Sequence, residues 1–475
     1  AFRRSQRGSG GAAASATPDC ASSRVTRRKS LILIVIDGLT PSMFESAVDD
    51  ERAPTLSFLV DQGTYGVATS TFPSLTPVCL SSIATGAHPD VHGIPHLVWW
   101  NRGEQRVVEY GSSYAAVRAA GLGRSLRDTV LNLNQRHLSP DAVTVYEGLE
   151  DAGLTTAAIN ITCYRGRTRH AAIIPGVPPA FGPKRFFFYN LYASDATGAP
   201  LAIRNRAAGS IDAYAAAVGR WLVTRDGFDF LVYYLPDYDF ASHVSGPDAA
   251  YEALARSDRA VGTLMEAAGG PEEFLERYAV ILCSDHGQTK VTEPATLEES
   301  FRSLRGTIVT ASNRAGMVYR RGPGAPTPRA LAERLDAQPA AETVLFSEDD
   351  WAVARREGVE LRFRPREDRW DFVGDEGILA GYPNGLERAW AALANPNAGE
   401  LIVSAAPGYE FLDLGGRHHL GGGSHGSLTA GDSLVPMVVV GLDRLPESIT
   451  DIAPLAFEHF GVEPPPYARR LARAA

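Results

Sequence analysis

The sequence predicts an α/β fold with a doubly wound, mostly parallel central sheet flanked by helices, and with a subdomain inserted in its C-terminal half. Short continuous apolar runs recur along the chain: LILIVI (31–36), TTAAIN (155–160), FDFLVYYL (228–235), YAVILC (278–283), ELIVSA (400–405) and PMVVVG (436–441). Runs of this length without polar alternation suit strands covered on both faces, and the helical stretches between them supply the cover. The stretch 302–397 breaks the pattern with RRGPGAPTP (320–328), a helical segment at 329–338 and the charged REDRWDF (366–372), which marks it as an insertion or subdomain.

Composition supports a large folded core: 475 residues, 44% apolar and 21% charged. A formal net charge of −9 argues against binding a nucleic-acid polymer, which needs a basic face. Residues 1–28, rich in Ala, Ser, Gly and Arg, read as a flexible tail, and 29–475 as the folded domain. Cys20, Cys79, Cys163 and Cys283 form no close ligand pair and are expected as free thiols, Cys283 in the core. The apolar block at 31–36 is too short for a membrane span or a signal-peptide core. No membrane span is expected, and a cytoplasmic location is slightly favoured, although a chain opening on Ala1 is compatible with a removed upstream piece.

In open parallel sheets ligands gather at the carboxyl ends of the strands. Asp37-Gly38 follows the first run, and PDYDFASH, with Asp239 and His243 four apart, follows FDFLVYYL. Ser284-Asp285-His286-Gly287 follows YAVILC, and GGGSHGSL with His425 stands just before the last run. Aspartate and neutral histidine are zinc ligands, and glycine beside them lets the backbone approach closely. Singly each is weak, because a strand-end Asp often shapes a turn and a lone His often packs in a core. Jointly, at related positions, they point to a metal site. The stretch SLTPVCLSSIATG (74–86) reads as a helix with Thr76 as its cap, Pro77 in its first turn and Gly86 past its end.

In order and spacing this series resembles the alkaline phosphatase superfamily, and within it the type I phosphodiesterase/nucleotide pyrophosphatase group. The matching residues are Asp37, Thr76, Thr85-Gly86 with Pro89 and His92-Gly93, Asp239 with His243, Asp285-His286-Gly287, and His425-Gly426. The resemblance implies an alkaline phosphatase-like fold and a metal-dependent hydrolase of small-molecule phosphate esters. Its nucleophile is a threonine that forms a phosphothreonine, later cleaved by water. The group's nucleophile lies ten residues before the glycine of the T-G pair, which selects Thr76 over Thr71. Two divalent metal ions are implied, zinc first and manganese second. Asp37, Thr76, Asp285 and His286 would hold one, and Asp239, His243 and His425 the other. Asp237 competes with Asp239, but the four-residue spacing to His243 favours Asp239.

The group also places an asparagine 21 residues after the nucleophile, where this chain has Leu97. His96 and Asn101 are the neighbouring substrate-binding candidates, and Trp99 and Trp100 either stack on substrate or pack under a loop. CYRGRTRH (163–170) is a solvated loop or an anion clamp, and His418 and His419 read as loop residues. Other readings are a phosphomonoesterase, phosphonate hydrolase or phosphomutase of the same superfamily, and a catalytically silent metal-binding protein. The hydroxyl at Thr76 argues against the last.

Overall fold

The computed structural model describes residues 28–189, 191–195, 210–301, 304–367 and 369–469. Of the tail expected at 1–28, only Arg28 falls within them. Two sheets organise the chain. In chain order their strands are β1 (Ser30–Ile36), β2 (Thr64–Thr69), β3 (Thr156–Ile159), β4 (Arg185–Phe188), β5 (Tyr192–Ser194), β6 (Phe230–Leu235) and β7 (Tyr278–Cys283). Then follow β8 (Thr307–Ser312), β9 (Ala315–Arg320), β10 (Ala341–Glu348), β11 (Trp351–Arg356), β12 (Val359–Arg366), β13 (Arg369–Gly374), β14 (Leu401–Ala405) and β15 (Leu434–Val440).

The first sheet has eight strands in the order β2-β15-β7-β1-β6-β3-β4-β5. β7, β1, β6, β3 and β4 run parallel to one another. β1 lies near the centre because its side chains are apolar on both faces. Leu31, Leu33 and Val35 enter one core layer, and Ile32, Ile34 and Ile36 enter the other. Full burial of such side chains contributes about 1.5–3 kcal/mol each, which fixes where the strand ends and hence where Asp37 stands. Helices cover both faces, Thr76–Thr85 and Ile452–Phe460 on one and Ile211–Trp221 and Tyr251–Ala268 on the other.

Two of the expected strands differ from a parallel-sheet reading. PMVVVG lies in β15, which pairs antiparallel with β7 and with β2. ELIVSA forms β14, which belongs to the second sheet, in the order β8-β9-β14-β10-β11-β12-β13 with antiparallel pairing throughout. A strand buried on both faces reads the same in either kind of sheet. Ile402 of β14 joins the large core shared with the first sheet, whereas Leu401, Val403 and Ala405 pack with Leu331 and Leu335 of the Pro328–Asp336 helix. The segment 302–397 thus supplies most of the second sheet, and β14 completes it.

Arg314, in the β8–β9 turn, fastens the second sheet to the first. Its Nε donates to Asp432 Oδ2 at 2.9 Å, and both side chains are fully buried. The same carboxylate accepts from Ser427 N–H at 2.8 Å and from the Thr289 hydroxyl. Asp432→Ala strands the guanidinium without a counter-ion. Urea unfolding is expected to show a loss of about 3–5 kcal/mol; a loss below about 1 kcal/mol would mean that the pair does not join the two sheets.

Candidate active site

β1, β6 and β7 are parallel and adjacent, with Ile36 paired to Leu235 and Val35 to Cys283, so their carboxyl ends lie side by side. Asp37 follows β1 directly, and Asp285 follows β7 after Ser284. After β6 the chain turns at Pro236 into the helix Asp237–Ser245, which places Asp239 and His243 one turn apart. The carboxylate Oδ2 of Asp239 lies 3.2 Å from His243 Nε2. Asp237 faces away: its carboxylate accepts from Ile211 N–H at 3.1 Å and Asp212 N–H at 3.3 Å, tying down the first turn of the preceding Ile211–Trp221 helix. Gly38 has φ +70°, and a Cβ there would stand 2.6 Å from Asp239 Oδ1. Only glycine lets the chain pass between Asp37 and Asp239.

The Thr76–Thr85 helix starts one residue earlier than a cap at Thr76 requires. Leu75 is the N-cap, with no side-chain bond, and Thr76 is the first helical residue. Its hydroxyl, freed from capping, lies 3.0 Å from His286 Nε2. Gly86 ends the helix in the left-handed region, as expected.

Three histidines meet these carboxylates in the same way. His243 Nδ1 lies 2.8 Å from Gly423 O, His425 Nδ1 lies 2.8 Å from Ser74 O, and His286 Nδ1 lies 3.1 Å from Gly287 O. A carbonyl only accepts, so each Nδ1 carries the proton and each Nε2 offers a lone pair to the centre. Two trios hold ligand atoms within 4.8 Å of one another, Asp37–Asp285–His286 and Asp239–His286–His425. The rings of His286 and His425 stack at 3.7 Å.

Burial, then the nearby Asp285 and Asp239, push the Asp37 carboxyl well above its usual range; burial also raises Asp285. Burial would raise Asp239 too, but His243, with His425 and His286, outweighs it and the carboxyl is lowered. Burial and the neighbouring His286 hold His425 well below its usual value. Asp37 Oδ1 and Asp285 Oδ2 are buried with no hydrogen-bond partner. Unsatisfied carboxylate oxygens beside imidazole lone pairs fit divalent cations, with the oxygen and nitrogen donors that zinc or manganese accepts.

Several contributors carry no sequence signal of their own. Asn313, in the β8–β9 turn, has Nδ2 3.1 Å from His425 Nε2. Gln288 donates to Asp239, and Tyr234 OH to Asp37. His419, read as a loop residue, stacks on His243 at 4.0 Å, and its Nδ1 lies 2.6 Å from the buried Glu410.

Other candidates do not meet the cluster. Asn101 closes a turn, its Oδ1 accepting from Glu104 N–H at 2.9 Å, so its amide oxygen is committed to the backbone. His96 is fully buried, with Nδ1 accepting from Val98 N–H at 3.0 Å and the ring against the backbone of Ala315. Trp99 is buried edge-on to His137, which answers to packing. Arg165 binds Glu147 and the carbonyls of Leu138, Ser139 and Ala142, and Arg167 pairs with Asp151, so these two arginines are structural. Cys79, Cys163 and Cys283 are free and buried; Cys20 lies outside the described residues. No helix among the described residues is long and apolar enough to cross a membrane.

A mostly parallel sheet with acidic and histidine side chains gathered at its strand ends is the arrangement that the alkaline phosphatase-like resemblance implies. Residues 31–428 match the family described as type I phosphodiesterase / nucleotide pyrophosphatase, and the chain belongs to it. Two solved structures share the fold. Phosphonoacetate hydrolase from Sinorhizobium meliloti 1021, in complex with phosphonoformate, is 17% identical with a TM-score of 0.60, over 92% of this chain and 96% of that one. Murine ectonucleotide pyrophosphatase / phosphodiesterase 5 is 14% identical with a TM-score of 0.60, over 92% of this chain and 97% of that one. A shorter likeness, 35% identity over 86 residues, is to 2,3-bisphosphoglycerate-independent phosphoglycerate mutase of Wolinella succinogenes; it spans 18% of this chain and 15% of that enzyme.

If the cluster binds metal, Asp285→Asn and Asp239→Asn should each lower zinc content after reconstitution. Asp237→Asn should keep its zinc and lose only stability, by about 1 kcal/mol. Elemental analysis with thermal melting checks this, and equal zinc loss at positions 237 and 239 would overturn the choice of ligand.

Proposed function

We propose that this chain is a two-metal phosphodiesterase acting on small-molecule phosphate esters, with Thr76 as nucleophile. The observation that carries the reading is the Thr76 hydroxyl, free of capping and 3.0 Å from His286 Nε2 beside the buried carboxylates. In this reading Asp37, Asp285, His286 and Thr76 hold one divalent cation and Asp239, His243 and His425 the second. Zinc suits the donor set best, and manganese is second. Two such ions would supply charge stabilisation to the attacking and leaving oxygens of an in-line displacement.

The chain's own residues do the rest. The Thr76 oxygen bonds to phosphorus, giving up its proton, while the departing alcohol takes one. Water then cleaves the phosphothreonine, releasing a phosphomonoester and restoring the hydroxyl. Thr76 stands at the N-terminus of a ten-residue helix, whose dipole favours the phosphoryl group. The family match supports a diester, and so does the charge around the centre. Two buried arginines near it are engaged elsewhere, Arg314 with Asp432 and Arg388 with the carbonyls of Pro383, Leu428 and Thr71. Asn313 beside His425 is neutral. A monoanionic diester needs less positive charge than a dianionic monoester.

Hydrolysis of an activated aryl phosphodiester by zinc-loaded wild type, Thr76→Ala and Thr76→Ser tests the assignment. The alanine variant should lose several orders of magnitude in turnover while its stability changes by no more than about 0.5 kcal/mol; serine should retain substantial activity. A folded, zinc-bearing alanine variant with near wild-type turnover would eliminate the covalent route. Wild type that cleaves only monoesters or phosphonates would move the substrate class.

A further inference from the structure

The β8–β9 turn brings one side chain of the second sheet to the cluster. Asn313 is 5% exposed and sits in the left-handed region at φ +57°. Its carbonyl accepts from Phe411 N–H at 2.7 Å, and its Oδ1 accepts from the Ser312 hydroxyl at 2.7 Å. That contact turns Nδ2 toward His425 Nε2, 3.1 Å away. The next residue donates its N–H to His425 O at 2.8 Å and carries the Arg314–Asp432 pair, so the turn and the His425 loop are fastened to each other.

His425 has one ring lone pair, on Nε2, because Nδ1 donates to Ser74 O. The Asn313 amide uses the same lone pair that a cation would take. Ligation therefore leaves a buried N–H group without an acceptor, which is unfavourable, unless an anion held at the cation accepts from it. Resting on the two-metal reading above, we infer that Asn313 is a substrate-binding residue whose amide donates to a non-bridging oxygen of the phosphoryl group. The donor is neutral and directional. It orients the group and leaves charge compensation to the cations.

The test uses the full chain loaded with zinc, as wild type, Asn313→Ala and Asn313→Asp. Zinc content, thermal melting, calorimetric affinity for inorganic phosphate, and kcat/KM on the aryl diester are measured for each. Both variants should keep wild-type zinc. The alanine variant should bind phosphate about 10- to 100-fold more weakly, with a similar loss of kcat/KM. The aspartate variant should bind it more weakly still, because a carboxylate repels the anion. An alanine variant with wild-type phosphate affinity and rate would overturn this inference alone. So would an aspartate variant that gains zinc affinity and keeps phosphate, which would make position 313 a metal ligand. Wild type that holds no zinc and binds no phosphate would overturn the two-metal reading as well.

Discussion

Asp37, Asp239 and Asp285 are held together out of water, each no more than 5% exposed. Two like charges about 4 Å apart repel by about 4 kcal/mol at an effective dielectric near 20, and each carboxylate loses hydration besides. The site answers this unevenly. The histidines around Asp239 hold its carboxyl below the usual range, whereas burial pushes Asp37 and Asp285 above it, and each of these two keeps one oxygen without a hydrogen bond. Such a cluster is stable as a set of anions only with cations among them. The surrounding structure can be understood as what keeps it assembled.

Part of that restraint is cheap and local. Each histidine is fixed by one hydrogen bond from Nδ1 to a backbone carbonyl, a bond worth about 1 kcal/mol net that also sets the tautomer. The larger part is remote. No single bond here matches the repulsion, so the strand ends must be held by packing, and β1, β6 and β7 are buried along their whole length. Tight backbone contacts finish the arrangement: a Cβ on Gly287 would stand 2.2 Å from Gly431 O, which binds the Asp285–His286 turn closely to the loop after His425.

What the sequence made legible follows from the same division. Asp37, Asp285 and His286 adjoin buried apolar runs, and Asp239 and His243 follow one within a helical turn, so periodicity and spacing locate them. The Thr76 cap was misread because Thr-Pro at a helix start is compatible with either Ncap or N1, and only the backbone at Leu75 decides between them. Strand direction failed for β15 because burial on both faces carries no polarity. Asn313 and His419 were invisible for another reason: they reach the centre through contacts with His425 and His243, each more than a hundred residues away, which no local pattern encodes.

The two sheets therefore bring different things to one place. The first sheet supplies Asp37 and Asp285 from strand ends set by the hydrophobic core, and these positions move only if the core moves. The second sheet supplies Asn313 and Arg314 from a single hairpin turn, and the segment just after β14 supplies Glu410, which holds His419 against His243. Turns and loops accept substitution far more readily than buried parallel strands do. Changes in this turn and in the 410–425 loop alter what surrounds a bound phosphoryl group without disturbing the carboxylates beneath it. On the function proposed above, the chemistry of the centre is tied to the first sheet, and the choice of ester to the β8–β9 turn and the 410–425 loop.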